Sequence, residues 1–192
     1  MPDSAPLDRL QSHSLLNLPN LISFARLCAV PLAFWLVIDH RLAGAFILFV
    51  LAGASDAVDG WLARRNGGGN SIGAVLDPMA DKALLVTMYV TLAAVKEMPD
   101  WLAILVVFRD LVIVGGFVVL VLIGHAPTIR PLFISKVNTT LQLILVALTL
   151  FLAGFGLVIP AITAAMAVLT WTVAATTLAS GGAYVWRAME AR

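Results

Sequence analysis

Long apolar stretches separated by short polar breaks dominate this chain. Six such stretches cover residues 20–38, 42–65, 72–95, 100–124, 135–156 and 160–187. Several of them approach or exceed the roughly 20 consecutive apolar residues that a helix needs to cross a bilayer. The pattern therefore predicts an all-α integral membrane protein with six transmembrane helices.

The polar N-terminal segment differs from the rest of the chain. Residues 4–16 fit either a short amphipathic helix on the membrane surface or a loose tail, and residues 17–20 (Asn-Leu-Pro-Asn) predict a break and a helix cap. The segment lacks the basic start, apolar run and small-residue cleavage site of a signal peptide, so the first spanning helix is expected to direct insertion. We therefore expect a juxtamembrane segment at 1–19 and a single transmembrane domain at 20–192.

Composition supports a membrane-embedded chain. Of the 192 residues, 61% are hydrophobic and 12% are charged, whereas soluble domains are about half apolar and a quarter charged. The net charge of +1 gives no reason to expect a nucleic-acid partner.

The single cysteine, Cys28, excludes a disulfide framework and a thiolate metal site, and it is expected to be a small buried hydrophobic residue. The histidines lie in polar connections and are expected to be solvated surface groups: His13, His40 and His125.

Basic residues near the predicted helix ends are distributed unevenly. One set of connections contains Arg41 and Lys96, whereas the other set is much richer and contains Arg9, Arg26, Arg64, Arg65, Arg130, Lys136, Arg187 and Arg192. Cytoplasmic loops carry the excess of Lys and Arg, so both termini and the connection between the second and third helices are predicted to face the cytoplasm. An even number of spans agrees with this topology, and a bacterial inner membrane is the expected location.

Four aspartates interrupt the second and third apolar stretches: Asp56, Asp59, Asp77 and Asp81. A carboxylate at membrane depth is costly and marks a functional site. The first pair is three residues apart and the second pair four, so each pair lies on one face of its helix. Reflection about the glycine triplet 67–69 brings the two pairs level. The spacing therefore predicts an antiparallel hairpin that gathers four carboxylates around one cavity.

Carboxylate oxygens favour Mg²⁺, Mn²⁺ or Ca²⁺, and no His or Cys is placed to favour zinc. Two cations about 4 Å apart would clamp a phosphoryl group during an in-line displacement. Gly60 and Ala63 would let a ligand approach the backbone, and Arg64 supplies a planar cation suited to phosphate oxygens. We interpret the constellation as a phosphoryl-transfer site.

Two other interpretations of these carboxylates exist. Each aspartate could be a helix-end residue that reaches water, and the four together could form a cation or proton pathway of a transporter. Neither interpretation accounts for Gly60, Ala63, Arg64 and the glycine triplet between the two acidic pairs.

The spacing matches a known family. The pattern Asp56-x₂-Asp59-Gly60-x₂-Ala63-Arg64-x₈-Gly73-x₃-Asp77-x₃-Asp81 resembles the complete signature of the CDP-alcohol phosphatidyltransferases, without a departure at any fixed position. Residues 17–26 also resemble the family's entry to its first helix, and six helices form the family's core. The resemblance therefore covers most of the chain.

The resemblance implies a role for each matching residue. The four aspartates would bind two divalent cations, Mg²⁺ or Mn²⁺, and Asp81 would also deprotonate the acceptor hydroxyl. The residues implied in holding the CDP part of CDP-diacylglycerol are Asn20, Ser23, Asp56, Gly60, Ala63, Arg64, Asn70, Ser71 and Gly73. The family often has Thr or Ser at the position of Asn70, so either Asn70 or Ser71 would reach the nucleotide.

The acceptor follows from a finer resemblance. Arg109-Asp110 and residues 131–146 most resemble the cardiolipin synthases of the family, which transfer the phosphatidyl group to phosphatidylglycerol and release CMP. Phosphatidylglycerophosphate synthases, which use glycerol 3-phosphate, share the four-aspartate core and an Arg near position 109, and they are the alternative.

Two basic residues are candidates for the acceptor's phosphate. Arg109 lies in an apolar run and needs a carboxylate or phosphate partner. Asp110 is expected to point elsewhere on the helix, which leaves the acceptor lipid's phosphate or a salt bridge to another helix. Lys136 begins a helix and would either contact substrate or extend to lipid headgroups.

Small residues are frequent in the fourth and sixth apolar stretches. They predict close helix packing, either inside the chain or across a dimer. The family resemblance also implies a homodimer with active sites that face the cytoplasm.

Overall fold

Six α-helices make up the part of the chain that the structure describes. The computed structural model describes residues 18–65, 73–122, 133–157 and 159–190, with side chains described for 24–55, 81–116, 133–157, 159–184 and 186. The helices are α1 (Leu18–Ile38), α2 (Leu42–Arg65), α3 (Gly73–Ala94), α4 (Asp100–Leu122), α5 (Phe133–Gly154) and α6 (Pro160–Glu190). These ranges contain no strand. The all-α prediction is confirmed, and each helix ends within three residues of its predicted boundary.

The start of α1 differs from the predicted break and cap. The helix begins at Leu18, so Pro19 and Asn20 lie in its first turn. Proline is tolerated there because the first N–H groups of a helix have no partner within the helix. The amphipathic helix predicted at residues 4–16 lies outside the described residues.

The outer surface of the helices is strongly apolar. Two helical segments are long and apolar enough to cross a membrane, Phe133–Gly154 and Pro160–Tyr184, and shorter apolar segments cover Phe24–Ile38 and Leu42–Ser55. Large apolar side chains are exposed on every helix, including Trp35, Leu51, Val90, Phe108, Phe133 and Trp171. An apolar exterior of this extent is typical of a surface covered by lipid or protein.

The helices are arranged as a ring. Within the described ranges each helix packs against two main neighbours, in the order α1, α2, α5, α6, α4, α3 and back to α1, and α3 also touches α5. Within the described ranges, α1 packs against both α2 and α3. The predicted hairpin contact involves residues 56–77, whose side chains lie outside the described ones, so the hairpin stays a prediction.

Helical periodicity determines which faces point into the ring. The buried residues of α5 recur every three or four positions: Asn138, Gln142, Leu145, Val146, Thr149 and Leu150. In α1 the same spacing buries Arg26, Ala33 and Val37. One stripe on each helix thus faces the interior, although several of these buried residues are polar or charged.

Three helices end in the same turn. His40, Lys96 and Gly156 follow α1, α3 and α5 with φ of 56°, 66° and 62°. In each case the next residue donates its N–H to the carbonyl five residues earlier, at 2.8–2.9 Å. This Schellman arrangement favours glycine because of the positive φ. His40 and Lys96 occupy it without glycine, so these two ends carry no glycine signal and are marked only by their polar residues.

The last residue of α5 lies directly against the first turn of α2. A Cβ on Gly154 would lie 2.5 Å from the backbone nitrogen of Ala43. Next to this contact, the Phe46 ring packs against the rings of Phe151 and Phe155, at centroid distances of 5.3 and 6.2 Å. The close approach of α5 to α2 therefore requires a glycine at position 154.

We predict that Gly154→Ala destabilises the protein by about 1–3 kcal/mol, because the added methyl group would displace backbone atoms that cannot rotate away. Gly116→Ala is the matched control, since no atom lies within 4 Å of the Cβ that it adds, and alanine in a helix gains up to about 1 kcal/mol over glycine. Thermal unfolding in detergent, followed by tryptophan fluorescence, measures both variants. Equal midpoints for the two variants would contradict the close contact.

Candidate active site

A cavity of about 390 Å³ lies between α1, α2, α3, α4 and α5. Its charged lining residues are Arg26, Asp81, Lys82 and Asp110. Its apolar lining comes from three helices and comprises Phe49, Val50, Ala52, Leu84, Leu85, Leu143, Ile144 and Ala147. The cavity thus combines a charged end, where α3 contributes Asp81 and Lys82, with apolar walls one turn further along the same helix.

The cavity is open. Several of its lining residues on α2 and α5 are exposed: Val50, Gly53, Thr139, Leu143 and Ile144. The opening therefore lies between α2 and α5, on the apolar exterior of the ring.

Asp81 is held at the cavity by a buried arginine. Arg26 Nη1 donates to Asp81 Oδ1, and the two side chains form an ion pair. The Arg26 side chain is 2% exposed, whereas that of Asp81 is 45% exposed. A cation inside an apolar helix requires a partner. Arg26 finds this partner in Asp81, the predicted catalytic carboxylate, and so holds it against α1. The sequence contains this signal, a lone arginine in the apolar run of α1, but does not identify the partner.

A second ion-pair cluster lies at the same end of the cavity. Asp110 Oδ1 is 2.6 Å from Arg109 Nη1 and 2.6 Å from Lys82 Nζ. Asp110 is buried and Lys82 is half-exposed. This carboxylate therefore connects α4 with α3. Sequence reasoning missed the roles of both Lys82 and Asp110.

The environment of Arg109 corrects one expectation. Asp110 does not point away from Arg109. The long, flexible arginine side chain reaches its neighbour, and Arg109 Nη1 donates a hydrogen bond to Asp110 Oδ1. Arg109 Nε and Nη2 donate to Ser180 Oγ at 2.9 and 2.7 Å, and Nη2 also donates to Ser135 Oγ at 2.7 Å. All three guanidinium nitrogens thus have partners within the protein. The salt bridge is formed within α4 and not to another helix.

Lys136 lies in the first turn of α5 and is exposed. Its backbone carbonyl accepts a hydrogen bond from Thr140 Oγ1 at 3.1 Å. Thr139, one turn further along the helix, lines the cavity. This position is compatible with both predicted roles, contact with substrate and extension to headgroups.

A polar network between α5 and α6 borders the cavity. Thr176 and Thr177 donate to Asn138 Oδ1 at 2.8 and 2.9 Å. Gln142, which lines the cavity, donates from Nε2 to Thr177 Oγ1 at 3.4 Å. Asn138 Oδ1 and Gln142 Nε2 thus find their partners in hydroxyl groups of α6, whereas Asn138 Nδ2 is buried without a hydrogen-bond partner among the described residues.

Most of the predicted site residues lie where side chains are not described. Asn20 and Ser23 belong to α1, Asp56, Asp59, Gly60, Ala63 and Arg64 to the last part of α2, and Gly73 and Asp77 to the start of α3. Asn70 and Ser71 lie outside the described residues. Of the four predicted metal ligands, the structure describes the side chain of Asp81. Among the described side chains, no group of three or more His, Cys, Asp or Glu could hold a metal ion, so the metal site remains a prediction.

Comparison with known proteins assigns the chain to a family. Residues 16–179 match the model of the CDP-alcohol phosphatidyltransferases, a range that extends from the start of α1 into α6. The chain belongs to the CDP-alcohol phosphatidyltransferase family. The predicted family is thereby confirmed. Asp81, the last residue of the four-aspartate pattern, lies at the charged end of the cavity.

Several curated relatives are similar over most of this chain. The chloroplastic CDP-diacylglycerol–glycerol-3-phosphate 3-phosphatidyltransferase 1 of rice is 39% identical over 88% of this chain and 56% of its own length. The human cardiolipin synthase (CMP-forming) is 34% identical over 70% of this chain and 50% of its own length. The CDP-diacylglycerol–glycerol-3-phosphate 3-phosphatidyltransferase of Bacillus subtilis is 31% identical over 69% and 76%. The chain spans about half the length of the first two relatives. The names of the relatives include both a glycerol-3-phosphate phosphatidyltransferase and a cardiolipin synthase.

Proposed function

We propose that this chain is a membrane phosphatidyltransferase that transfers the phosphatidyl group of CDP-diacylglycerol to phosphatidylglycerol, which gives cardiolipin and CMP. Family membership and the names of the relatives support the reaction class. The observation that carries the proposal is the position of Asp81, which buried Arg26 holds at the charged end of a cavity with apolar walls.

The cavity suits an amphipathic substrate. Its volume of about 390 Å³ is within the range of about 300–1,000 Å³ of ligand pockets. The charged end would take a phosphate-bearing headgroup, and the apolar walls and the opening between α2 and α5 would take acyl chains. A lipid would thus reach Asp81 sideways from the bilayer.

The predicted metal ligands fit the register of the helices that line the cavity. On α2 the lining positions are 49, 50, 52 and 53, and the helical period continues the stripe through 49, 52 and 53 to positions 56, 59, 60 and 63. On α3 the lining positions are 81, 82, 84 and 85, and the stripe through 81, 84 and 85 continues backwards to position 77. The signature residues of both helices therefore belong to stripes that begin at the cavity. We propose that the four aspartates hold two divalent cations, Mg²⁺ or Mn²⁺, with Arg64 and the small residues beside the nucleotide.

The reaction is a displacement at phosphorus. The acceptor's hydroxyl oxygen attacks the phosphorus that carries the diacylglycerol, the bond from this phosphorus to the oxygen of CMP breaks, and Asp81 takes the hydroxyl proton as general base. The bound cations would supply Lewis-acid stabilisation of charge on the diphosphate. Arg26 keeps the Asp81 carboxylate oriented toward the cavity, and the apolar walls limit access of competing water.

The remaining predictions about location and assembly are part of the proposal. Six membrane spans with both termini and the active site on the cytoplasmic side of a bacterial inner membrane agree with the distribution of Lys and Arg. Exposed large apolar residues on every helix support a lipid-covered exterior. A homodimer is proposed from the family resemblance.

Glycerol 3-phosphate is the second candidate acceptor. The observation in its favour is the 39% identity to the rice relative, whose name specifies that acceptor. A cation or proton transporter is the candidate from another class, and it would use the same carboxylates without releasing CMP.

We predict that the purified protein releases CMP from CDP-diacylglycerol when Mg²⁺ or Mn²⁺ and phosphatidylglycerol are supplied, and that the lipid product is cardiolipin. Chromatography of the lipid product with phosphatidylglycerol or glycerol 3-phosphate as acceptor identifies the substrate. Product from glycerol 3-phosphate alone would assign the second candidate. Ion flux in liposomes without CMP release would favour a transporter.

We predict that Asp81→Asn lowers the turnover number by about 10²–10⁴-fold, the range expected for loss of a general base, while binding of CDP-diacylglycerol changes little. Asp39→Asn is the control, because Asp39 pairs with Arg41 on the exposed turn after α1. CMP release and CDP-diacylglycerol binding are measured on both variants. Normal turnover of Asp81→Asn would exclude Asp81 as the base.

A further inference from the structure

One buried carboxylate at the cavity pairs with two cations. Asp110 is 7% exposed, and its Oδ1 lies 2.6 Å from both Arg109 Nη1 and Lys82 Nζ. A carboxylate between two cations is held by both of them and orients each. Asp110 therefore couples a residue of α3 to a residue of α4 at the charged end of the cavity.

The two cations on Asp110 differ in their access to the cavity. Arg109 is 5% exposed, its nitrogens donate to Ser180, Ser135 and Asp110, and it is not among the residues that line the cavity. The Lys82 side chain is 44% exposed and lines the cavity. Arg109 is thus an anchor in the helix interface, whereas Lys82 faces the substrate space.

Lys82 also has hydrogen-bonding capacity beyond its ion pair. An ammonium group carries three donors, and the contact with Asp110 uses one of them. The neighbouring lining residues Arg26 and Asp81 are paired with each other. Lys82 is therefore the lining cation whose described ion pair leaves donors available for a further oxygen.

We propose that Lys82 binds a substrate phosphate, and that Asp110, itself anchored by Arg109, is the positioning residue that holds Lys82 at the cavity. This inference rests on the proposed function and deepens it. The ligand chemistry is a phosphate oxygen, which belongs either to the diphosphate of CDP-diacylglycerol or to the phosphate of the acceptor.

The test measures kcat and KM for each substrate separately by CMP release in detergent micelles. Lys82→Gln is expected to raise the KM of one substrate by about tenfold, the effect of losing a hydrogen bond to a charged group, while kcat stays within about threefold. Lys82→Arg is expected to restore most of this loss, because it returns the charge. A raised KM for CDP-diacylglycerol assigns the diphosphate, and a raised KM for the acceptor assigns the acceptor's phosphate.

Asp110→Asn tests the positioning role. It is expected to raise the KM of the same substrate as Lys82→Gln, and the double variant Lys82→Gln/Asp110→Asn is expected to be no worse than Lys82→Gln alone, because both changes act through one ammonium group. Lys96→Gln is the matched control, because Lys96 forms an exposed pair with Asp100 at 2.5 Å and neither residue lines this cavity. The kinetic constants of Lys96→Gln are expected to match those of the unmodified protein.

Unchanged KM values for both substrates in Lys82→Gln, or an effect of Asp110→Asn that adds fully to that of Lys82→Gln, would overturn the inference.

A direct binding measurement separates this failure from failure of the proposed function. CDP-diacylglycerol, phosphatidylglycerol and glycerol 3-phosphate are each added to unmodified protein and to Lys82→Gln, and the shift of the thermal midpoint is recorded. If the unmodified protein releases no CMP, the proposed reaction fails. In that case, midpoint shifts that are smaller in Lys82→Gln than in the unmodified protein would still support phosphate binding by Lys82. Equal shifts in the two proteins would exclude it. If Lys82→Gln does not fold, Lys82→Met replaces it, since it retains the apolar stem and removes the charge.

Discussion

Charged side chains inside an apolar helix bundle must be paired, and this constraint organises the interior of the protein. Buried Arg26 in α1 pairs with Asp81, and buried Arg109 in α4 pairs with Asp110. Both side chains of the Arg109–Asp110 pair are buried, and breaking such a pair typically costs about 3–5 kcal/mol, because the remaining charge stays desolvated. The two pairs therefore connect α1 with α3 and, through Lys82, α4 with α3. Because both clusters lie on α3 within two residues of each other, they also define the charged end of the cavity.

The ring order of the helices gives this charged end its surroundings. α1 packs against both α2 and α3, and residues of all three helices line the cavity. The apolar walls from α2, α3 and α5 continue from the charged end to the opening. A lipid whose headgroup carries phosphate is the kind of molecule that matches both parts at once. The acceptor depends on finer contacts. Among the described side chains of α3 and α5, Lys82 is half-exposed and Lys136 is exposed.

The sequence predicted the elements well because their signal is local. Six apolar stretches of near-membrane length gave helix boundaries that agree with the structure within three residues, and the spacing of four aspartates identified the family.

The order of the helices in the ring could not be read from the sequence, since each apolar stretch could pack against any other. The same limit applies to Arg26 and Asp81, which are 55 residues apart. The direction of side chains along a helix predicts that Asp110 points away from Arg109, whereas the long arginine side chain reaches its neighbour. His40 and Lys96 close their helices without the glycine that would have marked the ends.

The central claim is that four aspartates of α2 and α3 hold a pair of divalent cations above the substrate diphosphate, with Asp81 at the charged end of the cavity. Anomalous diffraction from crystals of the protein grown with Mn²⁺ and CDP-diacylglycerol tests it most directly. The account predicts two manganese peaks about 4 Å apart, with Asp81 as a ligand and with the cytidine diphosphate beside them. Crystals that contain bound CDP-diacylglycerol but show no manganese near Asp81, or manganese at sites distant from α2 and α3, would contradict it.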